Sequence, residues 1–137
     1  MKVDQDYLRT VLGVFLDSPR SFVELSDFQK ANVAVDDDKF LFHMQLLEDQ
    51  SFVECLNKDK NLGYIVAMGG NFEWISRPLR ISAAGHEFAD ALSRKEIAQI
   101  LKSGFKDASL STLKLAGTEL LKAFVKTQVE KHLGLKT

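Results

Sequence analysis

A mainly α chain carrying a small β-wing, an α+β class, is what three features of this 137-residue sequence predict. Apolar residues recur at helical spacing over residues 4–16, 36–50 and 83–92, and again through the carboxyl-terminal segment. Between them lies a stretch of strand formers, residues 52–76, punctuated by Asn57-Lys58-Asp59-Lys60-Asn61 and Gly69-Gly70-Asn71. With 45% apolar and 27% charged residues, the chain has enough apolar matter for one core and too much for a disordered tail.

The first helix is expected over Asp4–Leu16, where Tyr7, Leu8, Val11, Leu12, Phe15 and Leu16 share a face, with Asp4 or Gln5 at its start. It must stop before Asp17-Ser18-Pro19, because a proline ring disfavours the helical conformation of the residue before it. Ser21–Leu25 reads as a short strand or an extended connection, and Asp27–Ala31 as a short second helix. The third helix, Asp36–Gln50, collects Phe40, His43, Met44 and Leu47 on one side, Phe42 and Leu46 on a flank, and Asp38, Gln45 and Asp49 outside. Asp36 is the expected N-cap, with the following carboxylates favoured near the positive helix end.

Phe52–Leu56, Tyr64–Met68 and Phe72–Ser76 read as strands. Arg77–Ile81 leads into Ser82, whose hydroxyl can cap a helix over Ala83–Leu92. Glu96–Phe105 is a short helix, and Ser109 or Ser111 caps a longer one reaching about Leu133. On the latter, Leu110, Leu113, Gly117, Leu120, Leu121, Phe124 and Val125 form one apolar arc. That arc must be buried, either against a second copy through Leu113, Leu120, Leu121 and Phe124 or back on the chain's own core.

Helices, then a β-wing, then a helix is the plan of a winged helix-turn-helix domain. Residues 1–93 would form that domain, and 94–137 a helical extension with a dimerisation role. Two stretches carry a closer likeness: Phe42–Glu54, "FHMQLLEDQSFVE", and Arg80–Leu92, "RISAAGHEFADAL". Together they resemble the paired motifs of an uncharacterised bacterial and prophage domain family. In that family an aromatic-His helix ends in a Leu-Leu pair, a strand follows, and Leu-Thr-x-x-Gly-His-Glu-Phe opens a later helix. His43, Leu46, Leu47, Gly85, His86, Glu87 and Phe88 match by type. The resemblance implies a fold and no activity. The chain departs from the pattern at Ser51, where the family has glycine, and at Ser82, where it has threonine. Ser82 keeps a capping hydroxyl. Ser51 would carry a β-carbon into a left-handed helix end, at a cost of roughly 1 kcal/mol or more.

No cofactor or metal is expected. His43, His86 and His132 lack zinc spacing, the lone Cys55 reads as a buried structural thiol, and Asp36-Asp37-Asp38 does not continue into a calcium loop. His43 lies on an apolar flank and reads as a hydrogen-bonded core residue; in His86-Glu87, either Glu87 balances the positive helix end or the pair anchors the later helix to the core. With no nucleophile and base, phosphate loop or ligand set in view, the chain is not read as an enzyme. No signal peptide or membrane span is visible, so a cytoplasmic location is expected.

The net charge of −1 conceals a division. Residues 1–93 hold 9 Lys and Arg against 15 Asp and Glu, while residues 94–137 hold 9 against 4. The expected function is that of a small dimeric transcriptional regulator on double-stranded DNA, held by Lys30, Lys39, Lys58, Lys60, Arg77 and Arg80. Three aspartates at the start of the third helix oppose this, because that end faces base edges and phosphates in a helix-turn-helix. The alternative is a protein-interaction module using the acidic third helix and the "GGNFEWIS" hairpin, with Phe72 and Trp74 on one face.

Overall fold

The computed structural model describes residues 1–134. In chain order the elements are α1 (Gln5–Asp17), α2 (Leu25–Lys30), α3 (Asp38–Asp49), β1 (Val53–Cys55), β2 (Tyr64–Val66), β3 (Phe72–Trp74), β4 (Leu79–Ile81), α4 (Ala83–Ser93), α5 (Lys95–Gly104) and α6 (Leu110–His132). The protein is mainly helical, with two small two-stranded antiparallel sheets. Among the described residues no helix is long and apolar enough to cross a membrane.

Each helix start has a chemical cause. Asp4 caps α1 by accepting the Tyr7 N–H at 3.0 Å. A reciprocal box of Glu24 and Asp27 opens α2, with the Glu24 N–H donating to Asp27 at 2.8 Å, so this helix begins at Leu25, two residues before the expected start. The cap of α3 is Asp37, which accepts the Phe40 N–H at 2.9 Å, and not Asp36, which lies outside the helix. Ser82 and Ser109 cap α4 and α6 through the Gly85 and Thr112 N–H groups. Arg94 closes α4 and opens α5, so the two helices meet at a single extended residue.

The carboxyl end of α3 is a Schellman motif. Phe52 N–H reaches the Leu47 carbonyl and Ser51 N–H the Glu48 carbonyl, both at 2.9 Å, with Ser51 at φ +57°. The strained serine expected at this boundary is therefore present. Both apolar members of the motif, Leu47 and Phe52, are fully buried.

β1–β4 and β2–β3 are the two ends of one long hairpin. At the root, Val53 pairs with Ile81 and Cys55 with Leu79. Towards the tip, Tyr64 pairs with Trp74 and Val66 with Phe72. Between them Leu56 N–H bonds Pro78 and Ile75 N–H bonds Gly63, which carries the pairing past an unpaired bulge at residues 57–62. β4 is the middle of the root, because Val23 and Leu79 exchange two backbone bonds of 2.8 Å on its other side. Residues 77–81, expected as a lead-in to Ser82, contain this central strand instead.

One core unites the helices with the hairpin root. Leu8, Leu12, Phe28, Phe40, Met44, Leu47, Phe52, Leu79, Leu101 and Leu113 are essentially inaccessible to solvent. An edge-to-face aromatic series runs from Phe15 through Phe28, Phe40 and Trp74 to Tyr64, with centroids 5.1–5.6 Å apart. α4 is seated by close backbone approach. A β-carbon on Gly85 would stand 2.2 Å from the Phe52 carbonyl oxygen, and Ser82 N–H donates to that same oxygen at 2.9 Å. The anchor of α4 is thus Gly85, Ser82 and buried Phe88, whereas His86 and Glu87 are exposed and do not serve as one.

α5 and α6 share this core. Gln5 donates from its amide nitrogen to the carbonyls of Leu101 and Phe105, both at 3.1 Å, so α1 closes the end of α5. On α6, Leu110, Leu113, Gly117 and Leu121 are buried, with Gly117 beside Ala91 and Phe88 of α4. Half of the expected dimer contact is therefore spent within the chain: Leu113 is inaccessible and Leu121 nearly so. Leu120 is half-buried, and Phe124 is half-buried beneath the Arg94 guanidinium at 4.2 Å.

Candidate functional site

The amino end of α3 and the tip of the hairpin enclose a cleft of about 660 Å³. Its walls include the carboxylates of Asp36, Asp38 and Glu73 and the apolar Ile65 and Phe72. No Lys or Arg lines it. The exposure of these groups has local causes. Asp37 is engaged as the cap by the Phe40 N–H, and Asp36 and Asp38, exposed on either side of it, are not. Ile65 stands opposite Glu73 in the β2–β3 register, so the two project from the same face of the ribbon, and both are exposed; Phe72, opposite Val66, projects from the other face, beside Tyr64 and Trp74, and reaches the cleft from there.

The opposite face of the ribbon is packed. Trp74 lies 5.2 Å from Phe40 and 5.4 Å from Tyr64, and the Tyr64 hydroxyl donates to Glu48 at 2.6 Å. Trp74 is therefore a joint between tip and core and gives the interaction reading no exposed aromatic anchor. Exposed apolar surface at the tip comes instead from Ile65, Val66, Met68 and Ile75, with Met68 97% exposed. The alternation of β2 and β3 held this signal, but only the tertiary contact of Trp74 with Phe40 decides which face is open.

The six candidate DNA-binding cations do not form a common positive strip. Lys39 lies 2.8 Å from Asp4 and 4.7 Å from the Tyr7 ring. The same contact, with the Tyr7 N–H, holds the Asp4 carboxyl below its usual range. Lys58, at 2.6 Å, and Arg80 both bond Glu54, whose carboxyl is lowered chiefly by Lys58. Arg77 donates to the Asn61 carbonyl at 3.1 Å. Lys30 borders a separate cleft between α1 and α2 with Arg9, Asp17 and Asp27. Lys60 is exposed at the bulge, with no carboxylate within 4.0 Å among the described residues. Exposed ion pairs are worth at most about 1 kcal/mol, so they do not immobilise Lys39, Lys58 or Arg80. Their effect is on the field: Lys39 is answered by Asp4, and Lys58 and Arg80 share Glu54, so these three cations offer a phosphate less net positive charge than their number suggests.

The buried polar groups are structural. His43 is fully buried, its Nε2 accepts the Asp4 N–H at 3.0 Å, and its Nδ1 donates to the Lys39 carbonyl at 2.8 Å. The bond accepted by Nε2 requires the neutral ring, and burial lowers the imidazole pKa, against the Lys39 carbonyl, which alone would raise it. Burial also raises the Tyr7 hydroxyl to about 12, reinforced by Asp37 and Asp4. The Cys55 thiol is buried, pushed up by that burial, and donates to the Asn61 carbonyl at 2.9 Å, which ties the bulge to the root. Among the described residues no group of three or more His, Cys, Asp or Glu is arranged to hold a metal ion.

No protein-family model, curated protein or solved structure matches the chain.

Proposed function

We propose that the chain is a binding module of winged-helix type whose cleft between α3 and the hairpin takes a basic, apolar-studded segment of a protein partner. The fold half of this reading is supported by the order α1, the Val23 bridge strand, α2, α3 and a long hairpin whose β4 lies between Val23 and β1. The likeness of Phe42–Glu54 and Arg80–Leu92 to the uncharacterised bacterial and prophage family points the same way. Fold alone does not name the partner.

The observation that carries the choice of partner is the composition of the cleft: the carboxylates of Asp36, Asp38 and Glu73, the apolar Ile65, Ala67 and Phe72, and no cation. A winged helix would present this position to DNA, and duplex phosphates would meet Asp36, Asp38 and Glu73 there. A Lys- or Arg-rich segment would find complementary charge, and Ile65 and Phe72 would give its apolar residues something to bury against. The regulator reading rests on Lys30, Lys60 and Arg77, the candidate cations without a carboxylate partner among the described residues.

Selection of random displayed peptides on the immobilised full chain tests the proposal, with a random duplex DNA library run in parallel. Enrichment of peptides alternating Lys or Arg with Leu or Phe is expected, and Asp36→Lys with Glu73→Lys should weaken their binding about tenfold or more, some 1.4 kcal/mol. Enrichment of a duplex site whose affinity falls steeply with salt, with no basic peptide recovered, would overturn it in favour of DNA.

A further inference from the structure

We infer that one occupant of this cleft is the exposed carboxyl-terminal half of α6 from a second copy of the chain. The inference rests on the cleft reading above and adds the identity of a ligand. α6 is two helices in one: its residues up to Leu121 pack on α4 and α5, and beyond Leu121 none is buried. Yet Val125, Val129 and Leu133 recur at four-residue spacing along that outer half, 48%, 50% and 67% exposed. With Phe124 and Arg94 they wall a hollow of about 460 Å³ that is open to solvent. A helix pays for such a stripe unless something covers it.

Charge selects what covers it. Lys122, Lys126, Lys131 and His132 flank the stripe, against Glu119 and Glu130. Lys122 is answered within the chain, by Glu119 at 3.4 Å, whereas Lys126 and Lys131 have no carboxylate within 4.0 Å among the described residues. Pairing two such helices would set lysine against lysine. The cleft has the opposite character, with Asp36, Asp38 and Glu73 around Ile65 and Phe72. Met68, on the tip beside the cleft and almost wholly exposed, is an apolar knob that the hollow between Phe124 and Leu133 can receive. The acidic front and basic back of the sequence thus find each other between copies; within the chain, only Asp6 with Lys102 and Asp90 with Arg94 join a front carboxylate to a back cation among the described residues. Two copies that exchange α6 reciprocally close as a two-fold dimer.

Light scattering on the full chain is the test, with far-UV circular dichroism confirming that each exposed substitution leaves the fold intact. The wild type should have at least twice the chain mass and dissociate as salt rises. Asp36→Lys with Glu73→Lys should be monomeric, as should Lys126→Glu with Lys131→Glu, and the four changes together should restore association. A wild type monomeric at high micromolar concentration, or an oligomer indifferent to either reversal, would overturn the inference. A monomer that still binds selected basic peptides removes the second copy as occupant and leaves the cleft reading standing. Association restored by the fourfold reversal, without any peptide binding, keeps the cleft and the second copy as its occupant and removes a separate protein partner.

Discussion

The two ends of the hairpin are built from similar residues and live in different surroundings. At the root, Val53, Cys55 and Leu79 are buried, Val23 extends the pairing on one side, and Gly85 and Ser82 close on Phe52. At the tip, Ile65, Val66, Met68 and Ile75 are more than half exposed, and only the Tyr64–Trp74 face meets the core. A strand pair at the root is fixed by what lies on both sides of it. The tip is held through Tyr64 and Trp74 alone and leaves the rest of its apolar surface for a partner, so stability and recognition are assigned to opposite ends of one element.

Truncation should separate the ends most sharply. Phe52→Ala at the root removes a fully buried ring stacked on Phe88 and should cost about 4 kcal/mol in urea unfolding. Ile65→Ser at the tip should stay within about 0.5 kcal/mol while weakening peptide capture. Equal costs at the two positions would break the distinction. Gly85→Ala is next, since its β-carbon meets backbone rather than a side chain that can move; a loss of about 3 kcal/mol is expected.

Acid should then act on the packed side before the open one. In the folded protein the His43 pKa is depressed below its usual 6.5, so the unfolded chain takes up the proton first. The contribution of neutral His43 is fully present above about pH 6.5 and is lost as pH falls from there through the folded value. Asp4 and Glu54 are also depressed, but as carboxylates they act at lower pH. Unfolding curves from pH 7 to pH 5 should therefore show declining stability, and His43→Gln should flatten the decline.

The smallest expected changes are gains. Ser51→Gly relieves a β-carbon at φ +57° and should add about 1 kcal/mol. Gly117→Ala places its methyl 3.8 Å from Ala91 and Phe88, an ordinary contact, and should add roughly 0.5–1 kcal/mol of helix preference. A loss at Gly117 would mean that α6 sits closer to α4 than these distances.

What the sequence disclosed and what it withheld divide along physical lines. The buried face of α3, the hydroxyl caps at Ser82 and Ser109, and the awkward Ser51 depend on neighbours within a few residues, and all are where local pattern put them. β4 is not legible locally because it is only three residues long, directly after Pro78, and its partners, Val23 and β1, lie far away in sequence. The basic candidates were legible as lysines and arginines, but their effective charge was not. Lys39 meets Asp4 across 35 positions, and Arg80 meets Glu54 across 26. The aspartates of α3 raised the doubt about DNA from composition alone; the cleft they form needed the hairpin tip folded opposite them.

Trp74 is the protein's single tryptophan, and it sits where the tip meets Phe40. Its emission consequently reports on one joint rather than on the whole molecule. A ligand that prises the tip from α3 would shift the fluorescence to longer wavelength while the far-UV spectrum of the helices stays unchanged. The chain carries its own optical gauge for the state of its hairpin, with no label attached.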